Sequence, residues 1–350
     1  MHTYIKKNIN MTKIVIYTPT YNMSPGIRYR VDMMKNALCT KFDVKILIDK
    51  REGVIRYLYR IFGSSILNLE WFWEKIGHSI ANQIIKEYPD VAILIVDVTA
   101  SAIPYLKKAG IKVILCVEDL SWEWLLMKNK EKMISIFKKY AFMSDKIITI
   151  SNSLQEKLLQ LSLKSIVIPP CLEKKYISFK DRFNYFNSEN ILLHAGKIQH
   201  KEEYLSFCQI AKQIKGKYSV KSFFTGKLAN SLAKKFSWID WYNYSTSFKA
   251  IEHLKMCSIG IIIRYRAHYP TRIFYHSSML QPIIAIGDNW TKIIKQNNIG
   301  IVTKPNHVLY ALNNMISNYD TYLYYIEKFV DNNLLDVKYK QLINYIDNKI

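Results

Sequence analysis

Short, continuous apolar runs alternate with amphipathic stretches along most of this chain. In the first half, runs rich in Val and Ile occupy residues 13–18, 43–48, 91–96, 112–117, 145–150 and 165–168. Continuous apolar runs are typical of strands buried on both faces, as in a parallel sheet. Amphipathic segments between them, such as 28–40 and 130–143, fit helices that cross over between parallel strands. The first half therefore predicts a doubly wound α/β domain.

The pattern is interrupted by a polar, aromatic stretch with paired prolines and then restarts. The later apolar runs are residues 190–195, 219–225, 259–263, 282–286 and 300–302. We therefore predict a second α/β domain, with a cleft between the two. The predicted divisions are an N-terminal domain (1–170), a linker (171–189), a C-terminal domain (190–318) and helices that pack back toward the first domain (319–350). Because ligands of open α/β sheets bind at the carboxyl ends of the strands, the loops there are the places to look for chemistry.

Composition narrows the class of protein. The 350 residues fit two domains, and the formal net charge of +22 indicates an anionic partner: nucleic acid, an acidic membrane or a phosphorylated substrate. The alternative is a lysine-rich surface that serves only solubility. The five cysteines are scattered without a C-x-x-C pair, which favours a reducing compartment over a zinc site. We see no secretory leader and no membrane span, and we expect a cytoplasmic protein.

Several common motifs are absent from the sequence. G-x-G-x-x-G, G-x-x-x-x-G-K-[ST], H-E-x-x-H, D-x-D and G-x-S-x-G do not occur. Their absence argues against most NAD enzymes, P-loop kinases, zinc hydrolases and α/β-hydrolases. We expect no metal site and no cofactor.

The loop after the first strand carries a turn followed by basic residues. Pro25 and Gly26 form the turn, and Arg28 and Arg30 open the next helix. Free backbone N–H groups at a helix start favour an anion. The alternative is an ordinary turn with arginines in solvent.

Two loops of the second domain are also basic. Lys197 and Lys201 flank the turn after the strand at 190–195, and a diphosphate would suit two ammonium groups there. The alternative is a solvated lysine pair. Further along, Arg264, Arg266 and Arg272 fall within nine residues of a strand end. Three guanidinium groups so close together are unfavourable unless an anion lies among them.

The order of these segments resembles the retaining glycosyltransferases of family 4, which have the two-domain GT-B architecture. The resemblance spans about residues 13 to 318 and rests on "DKIITISNSLQEKLLQ…VIPP", "ILLHAGKIQHKEE", "WIDWYNYSTSFKAIEHLKMCSIGIII" and "PTRIFYHSSMLQPIIAIGDNWTKIIKQNNIGIVTKP". It implies two Rossmann-like domains facing a cleft. It also implies a hexosyltransferase-like enzyme that needs no metal and retains the anomeric configuration. Together with the basic loops described above, it leads us to predict that Gly26, Lys197, Lys201, Arg264, Arg266 and Arg272 bind the donor.

The sequence departs from this family at its paired glutamates. The E-x7-E motif would fall at Ala267 and Tyr275, so both carboxylates are missing. In the family the second glutamate holds the ribose of the donor, and here Tyr275 or His276 would have to serve. The alternative for these two residues is packing of the helix against the neighbouring strand. Loss of both glutamates also leaves open a catalytically inactive subunit.

Glu118 and Asp119 directly follow the fourth strand. In the family, an acidic residue or a histidine at this place faces the donor sugar and the acceptor. We therefore predict that Glu118 and Asp119 are the catalytic pair. The alternative for Asp119 is a helix N-cap.

The segment 54–76 mixes basic and aromatic residues on a helical pattern. Arg56, Arg60 and Trp73 are predicted, together with Arg28, to contact the acceptor or a membrane interface. The alternative is a pair of core helices.

The sequence thus predicts a transferase of surface-polysaccharide synthesis, such as lipopolysaccharide or capsule. Its expected partners are a nucleotide-sugar, a glycan or lipid-linked acceptor and the anionic inner face of the plasma membrane. A nucleic-acid-binding protein is the competing class, and the absence of a helix-turn-helix, zinc-finger or RNP pattern argues against nucleic acid as a partner.

Overall fold

The structure is a computed structural model. It describes residues 11–19, 25–49, 63–124, 130–173, 190–198, 200–225, 227–243, 257–265 and 270–348. The chain forms two compact units. One comprises Met1–Ile168 together with Tyr339–Ile350, and the other comprises Pro169–Lys338.

The first unit is built on a six-stranded parallel sheet with the strand order β2-β1-β3-β4-β5-β6. Its strands are β1 (Lys13–Thr18), β2 (Asp43–Ile48), β3 (Val91–Ile95), β4 (Lys112–Val117), β5 (Lys146–Thr149) and β6 (Ile166–Val167). Its helices are α1 (Pro25–Leu38), α2 (Glu70–Ile85), α3 (Ile103–Lys108), α4 (Ser121–Trp124), α5 (Lys130–Ala141) and α6 (Asn152–Gln160). Short 3-10 helices lie at Gly63–Asn68 and Asp97–Ala102. Every residue of β3 is buried, as its continuous apolar run predicts.

The second unit repeats this plan with the strand order β12-β11-β10-β7-β8-β9. Its strands are β7 (Asn190–Lys197), β8 (Ser219–Thr225), β9 (Asp240–Asn243), β10 (Ile259–Arg264), β11 (Ile283–Gly287) and β12 (Gly300–Val302). The helices that follow are α7 (Lys201–Ile214), α8 (Lys227–Lys235), α9 (Arg272–Ser278), α10 (Thr291–Gln296), α11 (Val308–Ser317), α12 (Tyr319–Asn332) and α13 (Leu335–Asp347). A short 3-10 helix lies at Pro305–His307.

The second sheet is covered on both faces. Ile261 and Ile263 of β10 point into one apolar cluster, with Phe207 and Ile210 of α7, whereas Ile262 points into another on the opposite face. This two-sided burial explains why β10 is continuously apolar rather than alternating. The prediction of two doubly wound parallel sheets is confirmed.

Each sheet has one place where the strand order reverses. In the first sheet the reversal lies between β1 and β3, and in the second it lies between β7 and β10. Loops that leave two such strands diverge to opposite sides, so a crevice opens at their carboxyl ends. These two switch points are where the fold places a ligand site.

Helix α13 starts within the second unit and ends within the first. In the first unit, Asp347 pairs with Lys41 (Nζ–Oδ2 2.6 Å) and the Tyr345 hydroxyl donates to the carbonyl oxygen of Asp145 (3.0 Å). Within the described ranges, no helix has both the length and the apolar character needed to cross a membrane.

Candidate functional site

The switch point of the second sheet brings together two of the predicted basic loops. Strand β7 ends at Lys197, and after a short turn α7 begins at Lys201, whose side chain is exposed. Strand β10, the neighbour of β7, ends at Arg264. The side chain of Lys197 and all of Arg266 lie outside the described part of the chain.

The end of β10 is fixed from two sides. Glu203 of α7 accepts from Arg264 (Nη1–Oε1 3.2 Å) and from the backbone N–H of Tyr265 (3.3 Å). The indole N–H of Trp290 donates to the carbonyl oxygen of Arg264 (2.7 Å), and Ser206 lies 3.0 Å from the Tyr265 hydroxyl. The Arg264 side chain is only 18% exposed. A guanidinium group is therefore held in place at the carboxyl edge of the sheet.

Arg272 is the first residue of α9, and its side chain is partly buried, with Nη1 shielded from solvent. Helix α9 has seven residues, so its dipole is small and gives little support to an anion site by itself. The case for Arg272 therefore depends on its guanidinium group.

Tyr275 and His276 are buried in the second unit. The imidazole of His276 packs directly against Gly260 at the amino end of β10, where a methyl group would overlap the ring. Its Nδ1 lies 2.9 Å from Oε1 of Gln281, and Nε2 of Gln281 donates to the carbonyl oxygen of Cys257. His276 therefore lies far from the carboxyl edge where ligands bind, and the geometry supports the packing alternative over a donor contact.

In the first unit, Glu118 is engaged in a buried ion pair. Its Oε1 lies 3.2 Å from Nε of Arg30, a residue with no exposed surface, and also accepts from the Cys116 thiol (3.0 Å). Arg30 also donates to the carbonyl oxygen of Ile168, and its guanidinium carbon lies 5.5 Å from the centre of the Tyr339 ring. This arrangement gives Glu118 a structural role as the buried partner of Arg30, and its catalytic role stays a prediction.

Burial, followed by the charge of Glu118, raises the pKa of the Cys116 thiol well above its usual range. Cys116 therefore belongs to the packed interior as a neutral group.

Asp119, the other predicted catalytic residue, is exposed directly after β4. The neighbouring carboxylate that organises this loop is Asp97, which the sequence reasoning missed. Asp97 follows β3 at the switch point of the first sheet and accepts from Val98 N–H, Ser121 N–H and the Ser121 hydroxyl, each at 2.8 Å. Its burial raises the pKa of this carboxyl group. An acidic residue immediately after a buried strand at the point of reversal is the signal that would have identified it.

The predicted acceptor and membrane residues fall in different places. Arg28 is exposed on α1, and Gly26 is half-buried. Arg56 and Arg60 lie outside the described residues. The prediction for Trp73 is wrong: it is fully buried, donates from its indole N–H to the carbonyl oxygen of Leu67 (2.9 Å) and stacks on Tyr140.

Trp71 is the tryptophan of this helix that faces solvent, with 50% of its surface exposed and Lys75 Nζ lying 5.4 Å from its ring centre.

No family model and no curated protein matches this sequence. Solved structures do match over nearly the whole chain. A sucrose-phosphate synthase from Thermosynechococcus elongatus has a TM-score of 0.71 at 10% identity and covers 97% of this chain and 100% of its own. HepE from Anabaena, in complex with UDP and glucose, has a TM-score of 0.67 at 10% identity, with coverages of 96% and 100%. A putative UDP-N-acetylglucosamine 2-epimerase from Listeria monocytogenes has a TM-score of 0.64 at 11% identity, with coverages of 96% and 95%.

At such low identity, these similarities establish the fold. The chain has the GT-B fold of two Rossmann-like domains, as its sequence predicts.

Proposed function

We propose that this protein is a glycosyltransferase that moves a sugar from a nucleotide-sugar donor to a glycan or lipid-linked acceptor. The observation that carries the proposal is the second switch point, where the start of α7 and the guanidinium group of Arg264 meet. A nucleotide diphosphate needs backbone N–H groups and cations at such a crevice. UDP and glucose are the ligands named for HepE, which shares this fold.

In this proposal the basic residues act on the leaving diphosphate. Lys197, Lys201, Arg264, Arg266 and Arg272 are the candidates. Preorganised cations stabilise the negative charge that develops as the glycosidic bond to the nucleotide breaks. The chemistry then requires no metal, and the acceptor hydroxyl attacks with retention at the anomeric carbon.

Asp119 is proposed to orient the acceptor or the donor sugar, since it is exposed directly after β4. Asp119→Asn preserves the size and the hydrogen-bonding oxygen of the side chain but removes its charge. Because a positioned acid or base contributes about 10²–10⁴-fold, we expect transfer to fall by at least 10²-fold while nucleotide affinity is retained. Full activity in this variant would exclude the charge-dependent role.

An exposed surface of the first unit fits an anionic membrane. This aromatic–lysine surface consists of the exposed Trp71, Lys75, Phe142 and Met143 and the half-buried Lys138. A 2.6 Å ion pair between Glu70 and Lys139 joins the two helices that carry it. Aromatic rings with lysines suit a membrane interface, and the net charge of +22 favours anionic lipid. We propose that the enzyme works there, at the inner face of the plasma membrane.

Trp71→Ala should reduce sedimentation with phosphatidylserine vesicles. Tyr310→Ala is the matched control, because Tyr310 is an exposed aromatic of the second unit. Equal sedimentation of wild type and Trp71→Ala would contradict the assignment of this surface.

Two other readings have specific support. The similar structure from Listeria monocytogenes is a putative UDP-N-acetylglucosamine 2-epimerase, so an epimerase is one alternative. A catalytically inactive subunit is supported by Ala267 and Tyr275 at the positions of the family's glutamates, and by the burial of Tyr275.

The decisive experiment has two stages. Thermal unfolding is first followed with each nucleoside diphosphate, where a ligand at 100 times its dissociation constant stabilises by about 2.7 kcal/mol. In the second stage, nucleotide-sugars that carry the same base as the stabilising diphosphate are incubated with the protein and lipid-linked acceptors in the presence of EDTA. The products are identified by mass spectrometry. Transfer in EDTA supports the proposal, an isomerised donor indicates an epimerase, and binding without turnover indicates an inactive subunit. If none of the nucleoside diphosphates stabilised the protein, the proposal that it binds a nucleotide would be wrong.

A further inference from the structure

Glu203 is a fully buried carboxylate at the second switch point. It lies in the first turn of α7, on the same face as Ser206, Phe207 and Ile210, which are also buried. A carboxylate in such a position is strongly unfavourable unless it is paired and hydrogen-bonded. Its partners therefore indicate why the position is not apolar like the rest of this face.

The two oxygens of Glu203 bind different loops. Oε1 accepts from both the side chain of Arg264 (3.2 Å) and the backbone N–H of Tyr265 (3.3 Å). Oε2 accepts from the backbone N–H of His200 (3.4 Å), where the turn enters α7. One side chain thus fixes the end of β10 and the start of α7 relative to each other.

The contact with Glu203 holds the Arg264 guanidinium group through Nη1. A guanidinium group carries five N–H donors in a rigid fork, so one edge can pair with a carboxylate while another meets a second anion. The backbone contact to Tyr265 also sets the direction in which the chain leaves the strand.

We propose that Glu203 is a positioning residue for the diphosphate of the nucleotide donor, acting through Arg264. This inference rests on the proposed function. It assigns Glu203 no contact with the donor. Its role is to hold the arginine at the crevice before the donor arrives, which removes the cost of ordering that side chain on binding.

Glu203→Ala removes all three hydrogen bonds described above, whereas Glu203→Gln keeps an oxygen in the place of Oε1. With UDP as the probe in isothermal titration calorimetry, Glu203→Ala should weaken binding by about tenfold, or 1.4 kcal/mol. Glu203→Gln should bind within about threefold of wild type. Glu202→Gln is the matched control: it removes a charge at the adjacent, exposed position and should bind normally. If Glu203→Ala does not fold, Glu203→Asp takes its place, because the shorter aspartate side chain cannot reach Arg264 and Tyr265.

A double-mutant cycle separates positioning from general damage. In an Arg264→Gln background, Glu203→Ala should change UDP affinity by less than about twofold, since its effect passes through the arginine. Undiminished weakening in that background would overturn the inference. The inference would also be overturned if Glu203→Ala bound UDP as tightly as wild type. It would likewise be overturned if the UDP affinity of Glu203→Gln were as low as that of Glu203→Ala. Failure of the wild type to bind any nucleoside diphosphate would overturn the proposed function, and this inference with it.

Discussion

The carboxyl ends of the two sheets both carry buried carboxylates, but the groups that these carboxylates hold differ in exposure. At the second, one buried carboxylate, Glu203, holds an arginine at the edge of the sheet. At the first, the buried Asp97 binds the start of a helix, and Glu118, at the end of the neighbouring strand β4, pairs with the fully buried Arg30. Asp119 is the acidic residue there that faces solvent. Burial therefore separates the acidic residues that hold a loop in place, such as Asp97, from Asp119, which stays accessible to a ligand.

The sharpest way to break this comparison is to remove Arg30. Arg30→Met keeps most of the side-chain volume but leaves Glu118 as an uncompensated buried charge. We expect a loss of about 3–5 kcal/mol in the free energy of unfolding. Urea denaturation followed by circular dichroism measures it, with Arg28→Met, on the exposed side of the same helix, as the control.

The double variant Arg30→Met/Glu118→Leu should recover most of that loss, because an apolar pair can replace a buried ion pair. If the single variant were as stable as wild type, Glu118 would not depend on Arg30, and its structural role would be wrong.

A second test concerns the amino end of the second sheet. In Gly260→Ala the added methyl group would overlap the His276 ring, so we expect a loss of about 1–3 kcal/mol from overpacking. Gly260→Ala/His276→Ala should regain part of it, because the smaller side chain leaves room. Differential scanning calorimetry of the three proteins provides the measurement.

UDP affinity should be unchanged in His276→Gln. Weaker UDP binding by that variant would indicate that His276 contributes to the donor site. The packing role assigned to it at the amino end of the sheet would then be wrong.

The third test concerns the cations proposed to bind the diphosphate. Arg272→Ala should weaken nucleoside-diphosphate binding about tenfold, the loss of one charge-assisted hydrogen bond of about 1.5 kcal/mol, with the fold intact. Arg272→Lys should recover only part, because an ammonium group cannot form a bidentate fork. Calorimetric titration compares both with Lys292→Ala, an exposed cation elsewhere in the unit. Normal binding by Arg272→Ala would remove this residue from the site.

The smallest effect is expected from the titration of Asp97. Because burial raises its pKa, the native protein keeps this proton to higher pH than the unfolded chain does. Stability therefore falls as pH rises from about 4, the ordinary aspartate value, to the raised native value. In Asp97→Asn this contribution is absent, so the stability of wild type relative to the variant should decline over that interval. Urea midpoints at several pH values show it, and a relative increase would contradict the effect of burial.

Most of the fold was predictable because parallel strands buried on both faces leave a continuous apolar run, as in residues 91–96 and 259–263. Strand β9 (Asp240–Asn243) was missed, since it lies at the edge of the sheet and its sequence, DWYN, is mixed.

The candidate site was only partly predictable. Arg264 followed from its place after a strand. Periodicity alone cannot tell which face of a helix meets the interior, so Trp73 was assigned to the surface when Trp71 is the exposed neighbour. The role of Glu203 depends on a contact between residues about 60 positions apart, which no local pattern encodes.

The first unit is assembled from two separate stretches of chain, with residues 339–350 returning to it after the whole second unit. On a ribosome, its sheet emerges long before the segment that places Tyr339 beside Arg30 and Asp347 beside Lys41. The nascent first unit therefore remains incomplete while about 170 residues of the second unit are synthesised. Interruption of translation within that interval would release a chain whose first unit lacks its final helix, a natural substrate for chaperones.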